Sequence, residues 1–232
     1  ALHEGIFSGL AQASTDISAI ERVVHGSTIV INTIIERKGA RTALVTTKGF
    51  ADVLEIARGN RPDMYNFRYE KPIPFVPRDL CFEVDERVDA DGRVLTPLNS
   101  ASLEAAVEAI RDSGVEAVAV CTLHSYSNPQ HEQAVADHIR SSMPHVVVSA
   151  SHEISGMWRE YERACTTALN AFARPPIDAY LSELDSELTA QSFTGHVGLV
   201  QSTGGLTDLI DARLRPVTLL ESGPVAGVAG FA

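Results

Sequence analysis

The sequence predicts an α/β protein whose parallel or mixed sheets carry helices on their flanks. Between residues 41 and 149, apolar segments of strand length alternate with amphipathic segments of helix length, in the order β-α-β-α-β. This order is typical of a parallel sheet with right-handed crossover connections. The 232 residues are 44% hydrophobic and 21% charged, which is ordinary for a globular protein with a buried core.

Apolar periodicity, together with start and stop residues, defines the expected elements. The expected helices are 6–24 (in two pieces), Thr28–Lys38, Phe50–Arg58, Ala101–Asp112, Pro129–Ser142 and 156–191. The expected strands are Arg41–Thr47, Glu116–Leu123, His145–Ser149, Val197–Val200 and Val217–Leu220. Leu80–Leu95 alternates around a turn at Asp89–Gly92, which is typical of a hairpin.

Three of the helices carry a more specific expectation. Ser100 is expected to cap the helix over Ala101–Asp112, and Gly114 to end it. The β-branched residues of Thr28–Lys38 make a strand a fair alternative there. The Arg-Pro-Pro run at residues 174–176 is expected to kink or break the long helix, because proline lacks the N–H that a helix interior needs.

The charge balance and the cysteines limit the class of protein. A formal net charge of −11 argues against a nucleic-acid surface or an anionic membrane surface. The sequence shows neither a run of about 18 apolar residues nor a signal-peptide pattern at its start, so a cytoplasmic protein is expected. Cys81, Cys121 and Cys165 are widely spaced, which is typical of reduced structural cysteines and not of a metal site.

The two ends of the sequence are unusual for a complete protein. It starts at alanine without an initiator methionine, and it stops inside a glycine-rich run that is expected to open a helix. We therefore expect a segment of a longer protein. Residues 1–150 would form a first α/β domain, incomplete at its start, and residues 151–232 the beginning of a second domain.

Two glycine turns near the end of the sequence are candidates for a phosphate site. Each follows a short apolar run, and their candidate residues are Ser202, Gly204 and Gly205 in the first turn and Ser222, Gly223 and Gly227 in the second. Small residues after a buried strand let backbone N–H groups approach a phosphate. The two turns could face one cleft. The alternative is a pair of ordinary connecting loops without a ligand, which is the commoner case for glycine turns.

His25, Thr28 and Asn32 form a second candidate group. They combine an imidazole, a hydroxyl at an expected helix start and an amide one turn further on. Plain N-capping of the helix by Ser27 or Thr28 would account for the hydroxyls equally well.

Further polar candidates occur after a strand and on the long helix. His124 follows the strand Glu116–Leu123, at the edge of a parallel sheet where ligands bind. It could be an acid, a base or a phosphate contact, or simply a packed and hydrogen-bonded histidine. Arg163, Thr166 and Asn170 share one side of the long helix, for which a solvated face is the alternative interpretation.

Two other patterns are not expected to form sites. Ser125 lacks the surrounding glycines of a nucleophile elbow, so serine hydrolase chemistry is not expected. His131, His138 and His145 recur every seven residues without a set of accompanying carboxylates, and we expect surface residues and no metal.

Six segments spread over nearly the whole chain complete the sequence evidence. They read HGSTIVINTIIERKGARTALVTTKGFADVLEIARGNRPDMY, FEVDERVDADGRVLTPL, GVEAVAVCTLHSYSNPQHEQ, REYERACTTALNAF, QSTGG and ESGPVAGVAG. Together, and in this order, they resemble the hydantoinase/oxoprolinase family. More narrowly, they resemble the ATP-using subunit of N-methylhydantoinases, 5-oxoprolinases and acetone- or acetophenone-type carboxylases.

The resemblance implies part of an actin-like, ribonuclease H-like ATPase fold and an enzyme that uses ATP and Mg²⁺. Such an enzyme phosphorylates a carbonyl or amide oxygen of a cyclic amide or ketone, which turns a poor leaving group into a good one. A hydantoinase B-type partner subunit or domain, within an oligomer, would complete ring opening or carboxylation. Under this hypothesis His25, Thr28 and His124 are the catalytic candidates, and Asn32, Arg163, Thr166 and Asn170 the substrate candidates.

The sequence lacks both acidic-Gly-Gly-Thr phosphate loops of the family. One would precede Ala1 and the other would follow Ala232, so the acidic residues of the Mg²⁺ site in that pattern are absent here. We therefore expect little or no turnover by this segment alone. The alternative hypothesis is a non-catalytic binding or assembly module that keeps the scaffold without a complete ATP site.

Overall fold

The computed structural model describes residue 17, residues 20–60 and residues 63–230, without the side chains of residues 229 and 230. The chain forms two compact units. We call Arg37–Pro175 the central unit, and Ala1–Glu36 together with Pro176–Ala232 the terminal unit. Most of the helix expected over residues 6–24 lies outside the described residues. The expected domain division at residue 150 stays a prediction.

The described elements follow in chain order. The strands are β1 Arg22–His25, β2 Thr42–Thr47, β3 Cys81–Val84, β4 Arg87–Val88, β5 Val94–Thr96, β6 Ala117–Cys121, β7 Val147–Ala150, β8 His196–Val200 and β9 Leu206–Thr207. The α-helices are α1 Ile29–Ile35, α2 Val53–Ile56, α3 Ser100–Ser113, α4 Gln130–Ser142, α5 Ser151–Ile154, α6 Glu160–Ala190, α7 Leu209–Leu214 and α8 Ser222–Gly230. The 3₁₀ helices Arg78–Leu80 and Pro216–Leu219 accompany them.

The central unit is built on a parallel sheet with the strand order β3-β2-β6-β7. Every residue of β2 and β6 is buried, as expected for central strands of a parallel sheet whose two faces are covered. The predicted β-α-β-α-β order is confirmed. The hairpin predicted over Leu80–Leu95 is partly wrong. Within this range, the antiparallel pair consists of the short strands β4 and β5. Cys81–Val84 instead adds the edge strand β3 beside β2.

Helix α3 packs by its apolar face and is closed at both ends by its flanking residues. Its buried residues are Leu103, Ala106, Val107 and Ile110. The cap predicted at Ser100 is wrong by one residue, because the Asn99 side chain accepts from the Ser102 N–H at 2.9 Å. Gly114 ends the helix as predicted, with a left-handed φ of 65°.

Helix α6 continues through Pro175 and Pro176, so the predicted break is wrong, and the alternative of a kink stays a prediction. Pro176 has no N–H to donate to the Phe172 carbonyl, four residues earlier. That carbonyl accepts a 2.9 Å hydrogen bond from the Ala40 N–H instead, which supplies the missing donor. Gly39 allows this close approach, because a Cβ at Gly39 would overlap both the carbonyl oxygen and the ring of Phe172.

We expect Gly39→Ala to lower the free energy of unfolding by about 2 kcal/mol, because the added methyl group overpacks the contact with α6. Gly156→Ala is the matched control, since an added Cβ at Gly156 would meet nothing within 4 Å. It should change the free energy of unfolding by less than about 0.5 kcal/mol. Urea denaturation compares the two variants with the wild type. An unchanged midpoint for Gly39→Ala would show that the loop moves away from α6 freely.

The terminal unit contains a three-stranded sheet with the order β1-β8-β9. β1 and β8 are parallel, and β9 returns antiparallel to β8. The helix predicted up to Val24 is wrong over residues 22–24, because pairing with the distant β8 overrides the local pattern. The strand predicted over Val217–Leu220 is also wrong. Pro216 opens a 3₁₀ helix there, and a helix start accepts a residue without an N–H. Helix α1 confirms the helical interpretation of Thr28–Lys38, and the strand alternative is wrong.

Candidate functional site

Two loops of the terminal unit leave its sheet at the same edge. β1 ends at His25 and β8 ends at Val200, and these parallel strands are in register with His25 opposite Leu199. The carboxyl ends of parallel strands are where α/β proteins bind ligands. The loop after β1 carries Gly26 to Thr28, and the loop after β8 carries the first glycine turn.

Ser202 joins the first glycine turn to the segment before the second. Its Oγ donates to the Thr218 carbonyl at 2.9 Å and accepts from the Glu221 N–H at 3.0 Å. Its backbone N–H also donates to the Thr218 carbonyl, at 2.8 Å. The first glycine turn and the segment predicted as the second are therefore neighbours, but the second is wrong as a turn, because Ser222, Gly223 and Gly227 belong to helix α8. The Ser202 hydroxyl itself is already occupied by backbone groups.

The start of helix α8 packs tightly on the loop after β1. The buried Ser222 Oγ donates to the Ser27 carbonyl at 2.7 Å and accepts from the Ser27 N–H at 3.2 Å. A Cβ at Gly26 would overlap Ala226 Cβ and lie 2.9 Å from the Ser222 carbonyl oxygen. A Cβ at Gly223 would lie 2.7 Å from Thr28 Cγ2. Both glycines are thus required for this approach, and three small-residue segments converge at one edge of the sheet.

The remaining predicted glycines have different surroundings. Gly204 has a φ of +87°, a conformation that favours glycine, and its N–H donates to the Gln201 carbonyl at 2.9 Å. The Gln201 N–H donates to the Gly205 carbonyl at 2.8 Å and closes the turn. An added Cβ at Gly227 would meet nothing within 4 Å, so the side of α8 at Gly227 borders open space.

His25 is held by a residue that the sequence did not reveal as part of a site. Its Nε2 lies 2.7 Å from the hydroxyl of Tyr180, which projects from α6 and is 7% exposed. Burial lowers the pKa of His25 below its usual range and raises that of Tyr180, so both rings are neutral near pH 7. His25 and Tyr180 line a small cavity of about 10 Å³, together with Ser27 and Ser222.

Thr28 and Asn32 lie at the exposed start of helix α1. Thr28 occupies the N-cap position, but its side chain does not cap the helix. The Ser27 Oγ accepts from the Ile29 N–H at 3.2 Å, so Ser27 supplies the bond that the capping interpretation predicted. The Asn32 side-chain amide donates to Thr28 Oγ1 at 3.3 Å. The hydroxyl and the amide therefore do lie together, one turn apart.

In the central unit, Arg163 is buried beneath the carboxyl end of β6, with 1% of its surface exposed. Its guanidinium donates to the Thr122 carbonyl, and its Nε lies 3.4 Å from Cys121 Sγ. It also lies 5.4 Å from the ring centroid of Tyr126, whose hydroxyl is 3.1 Å from His124 Nδ1. The structure thus brings Arg163 and His124 into one group through Tyr126.

His124 adopts a backbone conformation that is rare for a residue with a side chain, with a φ of 56°. Its carbonyl accepts from the N–H groups of Ser127 and Asn128 at 2.9 and 3.1 Å, which holds the turn after β6. Backbone strain of this kind is found at functional sites, so the catalytic prediction for His124 remains open.

The other two substrate candidates on α6 differ in burial. Asn170 is fully buried and its side-chain amide donates to Ser149 Oγ at 3.0 Å. Thr166 is half-buried, and its hydroxyl donates to the Glu162 carbonyl of its own helix at 2.8 Å. A solvated helix face is therefore wrong for Arg163 and Asn170.

A buried carboxylate organises a second polar network in the central unit, and sequence reasoning missed it. Glu132 is 0% exposed and accepts from the Thr122 N–H at 2.8 Å, the Ser151 hydroxyl at 2.8 Å and the His152 N–H at 2.8 Å. The His152 ring Nδ1 lies 2.7 Å from the same carboxylate. Ser125 Oγ is 3.0 Å from Ser151 Oγ and extends the network. Four donors thus neutralise a charge that would otherwise be strongly unfavourable inside the protein.

The surface location predicted for His131 is wrong. His131 is 6% exposed, and its Nδ1 lies 2.8 Å from the buried carboxylate of Glu86. Spacing could have revealed both buried polar residues of α4. His131 and Glu132 lie four residues before Val135 and Ala136, which are buried on the same face of the helix. His138 is one-third exposed, and His145 is exposed as predicted.

The Glu132–His152 pair predicts a pH dependence of stability. Hydrogen bonding to Glu132 raises the pKa of His152, although partial burial opposes the shift. The folded protein therefore binds this proton more tightly than the unfolded chain does. The resulting stabilisation is fully present below about pH 6.5 and is lost as the pH rises through the raised pKa.

We expect the wild type to lose more stability than His152→Gln between about pH 6 and about pH 9, because the variant has no imidazole to deprotonate. Urea denaturation at both pH values measures the difference. His145→Gln is the control, since His145 is exposed, and it should keep the wild-type pH dependence. Equal pH dependence in the wild type and His152→Gln would contradict the prediction.

Two models of known families match different segments of the chain. The family model described as "Hydantoinase/oxoprolinase N-terminal region" matches residues 1–143. The model described as "Hydantoinase/oxoprolinase" matches residues 163–232. The chain belongs to the hydantoinase/oxoprolinase family. The resemblance predicted from the sequence segments is confirmed.

Relatives in this family include enzymes of several activities. The caprolactamase subunit alpha of Pseudomonas jessenii is 34% identical over 240 residues, which cover 97% of this chain and 34% of that protein. The 5-oxoprolinase of Saccharomyces cerevisiae is 31% identical over 243 residues, which cover 93% of this chain and 18% of that protein. The chain thus spans about a third or less of the length of these relatives.

Two solved structures show the same fold. The crystal structure of the ATP-dependent caprolactamase from Pseudomonas jessenii matches with a TM-score of 0.88 and 32% identity, over 97% of this chain and 35% of that one. The nucleotide-free structure of acetone carboxylase, from work on ATP-dependent acetone carboxylation, matches with a TM-score of 0.85 and 25% identity, over 96% and 33%. The predicted α/β class, as part of an actin-like ATPase fold, is confirmed.

The predicted site residues of this family member fall in both units. His25, Thr28, Asn32 and the two glycine turns lie in the terminal unit, and His124, Arg163, Thr166 and Asn170 lie in the central unit. Their individual roles stay predictions. Within residues 20–60 and 63–230, no helix is both long and apolar enough to cross a membrane. Across the same described residues, no three His, Cys, Asp or Glu side chains are placed to hold a metal ion.

Proposed function

We propose that this chain is a segment of a longer ATP-dependent enzyme that phosphorylates the carbonyl or amide oxygen of a hydantoin, lactam or ketone. The observation that carries the proposal is the convergence of three small-residue segments at the carboxyl edge of β1 and β8. Backbone N–H groups at a helix start and in a glycine turn are suited to phosphate oxygens. The ATP dependence of the structurally similar caprolactamase and acetone carboxylase supports the same proposal.

In this proposal the nucleotide phosphates lie beside the first turn of α8 and the turn at Gly204–Gly205. The first N–H groups of a helix have no partner within the helix, and Ser222 and Gly223 occupy those positions in α8. The Ser202 and Ser222 hydroxyls position these segments and do not contact phosphate, because each is already bonded to backbone groups. ATP, when bound, supplies the phosphoryl group that activates the substrate oxygen.

The residues of this chain fit the phosphates better than they fit Mg²⁺. The described residues provide no cluster of carboxylates that could hold a metal ion. In our proposal the Mg²⁺ ligands therefore come from parts of the longer enzyme outside this chain. His25 and Thr28 are the catalytic candidates beside the convergence, and Tyr180 holds the His25 ring while burial keeps it neutral. A neutral imidazole can accept a proton at pH 7.

The proposal extends to the domains, the partner and the setting of the enzyme. Residues 1–150 and 151–232 belong to two domains of the longer chain, which acts in the cytoplasm as part of an oligomer. A hydantoinase B-type subunit or domain completes hydrolysis or carboxylation. The caprolactamase relative is named as a subunit alpha, which supports a partner subunit.

A second candidate function is a non-catalytic binding or assembly module. The occupation of the Ser202 and Ser222 hydroxyls by backbone groups favours it, because those side chains stabilise the scaffold without any ligand. The two candidates differ in whether the native polypeptide contains further phosphate loops and hydrolyses ATP.

The deciding experiment isolates the native polypeptide with an antibody against this chain. A mass far above 25.0 kDa, with ADP release that depends on Mg²⁺ and on hydantoin, 5-oxoproline, caprolactam or acetone, is expected. Boiled protein and reactions without substrate are the controls. A native polypeptide of about 25 kDa without substrate-dependent ADP release would favour the binding module instead.

A further inference from the structure

The central unit contains two adjoining pockets that share no residue with the proposed phosphate site. The smaller one holds about 180 Å³ and the larger one about 370 Å³, and Leu54, Pro72 and Tyr161 line both. Because they adjoin, together they offer the space of a small-molecule site. We call the smaller one the apolar pocket and the larger one the cationic pocket, from the residues described next.

The apolar pocket has a hydrocarbon floor and a fixed cation at its wall. Phe75, Ala168 and Leu169 line it together with Leu54, and Ala168 and Leu54 are buried. Arg37 lies 4.5 Å over the Phe75 ring and donates to the carbonyl of Pro74 at 3.2 Å. An apolar ring or short acyl chain would bury its surface against this floor.

The cationic pocket carries Lys71 and Arg58. Lys71 Nζ donates to the backbone carbonyl of Glu55 at 3.0 Å, and no carboxylate among the described residues pairs with it. Arg58 pairs with Glu162 at 2.6 Å, and the Glu55 side chain also lines the pocket. The Lys71 ammonium group is exposed, and among the described residues it has no acidic partner. It is a ready partner for an anion.

Two residues that line these pockets have strained backbone conformations. Ala57 lines the cationic pocket with a φ of 55° and a ψ of −135°, which is unfavourable for a residue with a Cβ. Arg37, at the apolar pocket, has a φ of 53°. Strained residues persist where the surrounding structure holds them, and they cluster at ligand sites. The strain is independent of the pocket volumes and of the charges.

We propose that these two pockets bind one small organic carboxylate. Its apolar body occupies the apolar pocket, and its carboxylate contacts Lys71 and Arg58 in the cationic pocket. Tyr161, shared by both pockets, lies between the two parts of the ligand. This site is separate from the proposed ATP function, because it uses residues of the central unit alone and needs no nucleotide.

The first test measures binding of cyclohexanecarboxylate to the intact protein by isothermal titration calorimetry, with cyclohexanecarboxamide as the uncharged comparison. We expect saturable binding of the carboxylate, at least about tenfold tighter than that of the carboxamide. Equal affinities, or no saturable binding of the carboxylate, would overturn the proposal. Neither result depends on ATP hydrolysis.

The second test changes one pocket at a time. Leu169→Trp fills the apolar pocket and should weaken carboxylate binding at least about tenfold, and Lys71→Met should weaken it about fivefold. Lys48→Met is the matched control, because Lys48 is exposed, pairs with Asp85 and lines neither pocket. Unchanged affinity in both pocket variants would overturn the proposal.

A third measurement needs no variant and so does not depend on a variant's folding. Cys165 lines the apolar pocket and is half-buried, whereas Cys81 and Cys121 are buried. Saturating cyclohexanecarboxylate should slow the reaction of Cys165 with N-ethylmaleimide at least about threefold, as followed by peptide mass spectrometry. Labelling of Cys165 at the same rate with and without the carboxylate would place the ligand elsewhere.

Discussion

Glu132→Gln is expected to lower the free energy of unfolding by about 3 kcal/mol or more. The carboxylate of Glu132 is fully buried and accepts hydrogen bonds from two backbone N–H groups, a hydroxyl and the His152 ring. Glutamine keeps the shape but replaces one acceptor oxygen by an NH₂ group. That group would face other donors, and His152 would lose its anionic partner.

Urea denaturation at neutral pH measures this loss. Glu108→Gln is the matched control, because Glu108 lies on the exposed side of α3, and it should change the stability by less than about 0.5 kcal/mol. Glu132→Gln should also lower the pKa of the His152 ring, which NMR titration would follow. Wild-type stability of Glu132→Gln together with an unshifted His152 would contradict the role assigned to this carboxylate.

Gly26→Ala is expected to displace the start of helix α8, lower the stability by about 2 to 3 kcal/mol and weaken ATP binding at least about tenfold. The added Cβ would overlap Ala226 Cβ and lie 2.9 Å from the Ser222 carbonyl oxygen. Both are parts of the helix itself and not ends of flexible side chains, so only movement of the backbone relieves the overlap. The proposed phosphate contacts depend on that backbone.

Gly227→Ala, in the same helix, distinguishes an effect on nucleotide binding from an effect on the packing of α8. An added Cβ there meets nothing within 4 Å, so the folded protein should keep its stability. If the phosphates lie beside this side of α8, the methyl group should weaken ATP binding without lowering the melting temperature. Thermal melting and fluorescent nucleotide titration on the intact protein measure both quantities. Gly26→Ala with wild-type melting and wild-type nucleotide affinity would contradict the proposed arrangement.

Local periodicity was sufficient for the core of the central unit. The strand-length segments Arg41–Thr47 and Glu116–Leu123, with apolar centres, predicted buried parallel strands, and the structure has β2 and β6 there. Alternation of these segments with amphipathic helices predicted the β-α-β-α-β order along the chain and a parallel sheet, and not the strand order β3-β2-β6-β7. Such patterns are reliable because burial on both faces of a strand favours apolar and β-branched residues at every position, and the buried threonines of β2 fit this pattern.

Local patterns failed where a distant segment decides the structure. Residues 22–25 form a strand because they pair with His196–Val200. Cys81–Val84 pairs with β2 and not with the strand expected to follow it in a hairpin. Helix α6 passes Pro176 because the Ala40 N–H reaches the Phe172 carbonyl. In each case the hydrogen-bonding partner is remote in sequence, so no local sequence pattern predicts the contact.

The candidate site divides in the same way. The sequence singled out both glycine turns, because glycine and serine after an apolar run are a local signal. It did not reveal Tyr180 beside His25, which looks like an ordinary residue of an amphipathic helix. It also missed Glu132, because a carboxylate in a helical pattern is normally exposed.

The sequence by itself determined the fold class, the family and the residues of the two glycine turns, since each rests on local pattern or on the order of segments. Only the tertiary structure decided which residues meet. It placed Ser222 against Ser27, buried Glu132 beneath the end of β6, and joined the two pockets at Tyr161. These contacts join chain segments far apart in sequence, and they form only when burial and hydrogen bonding together outweigh the entropy of closing the loops between them.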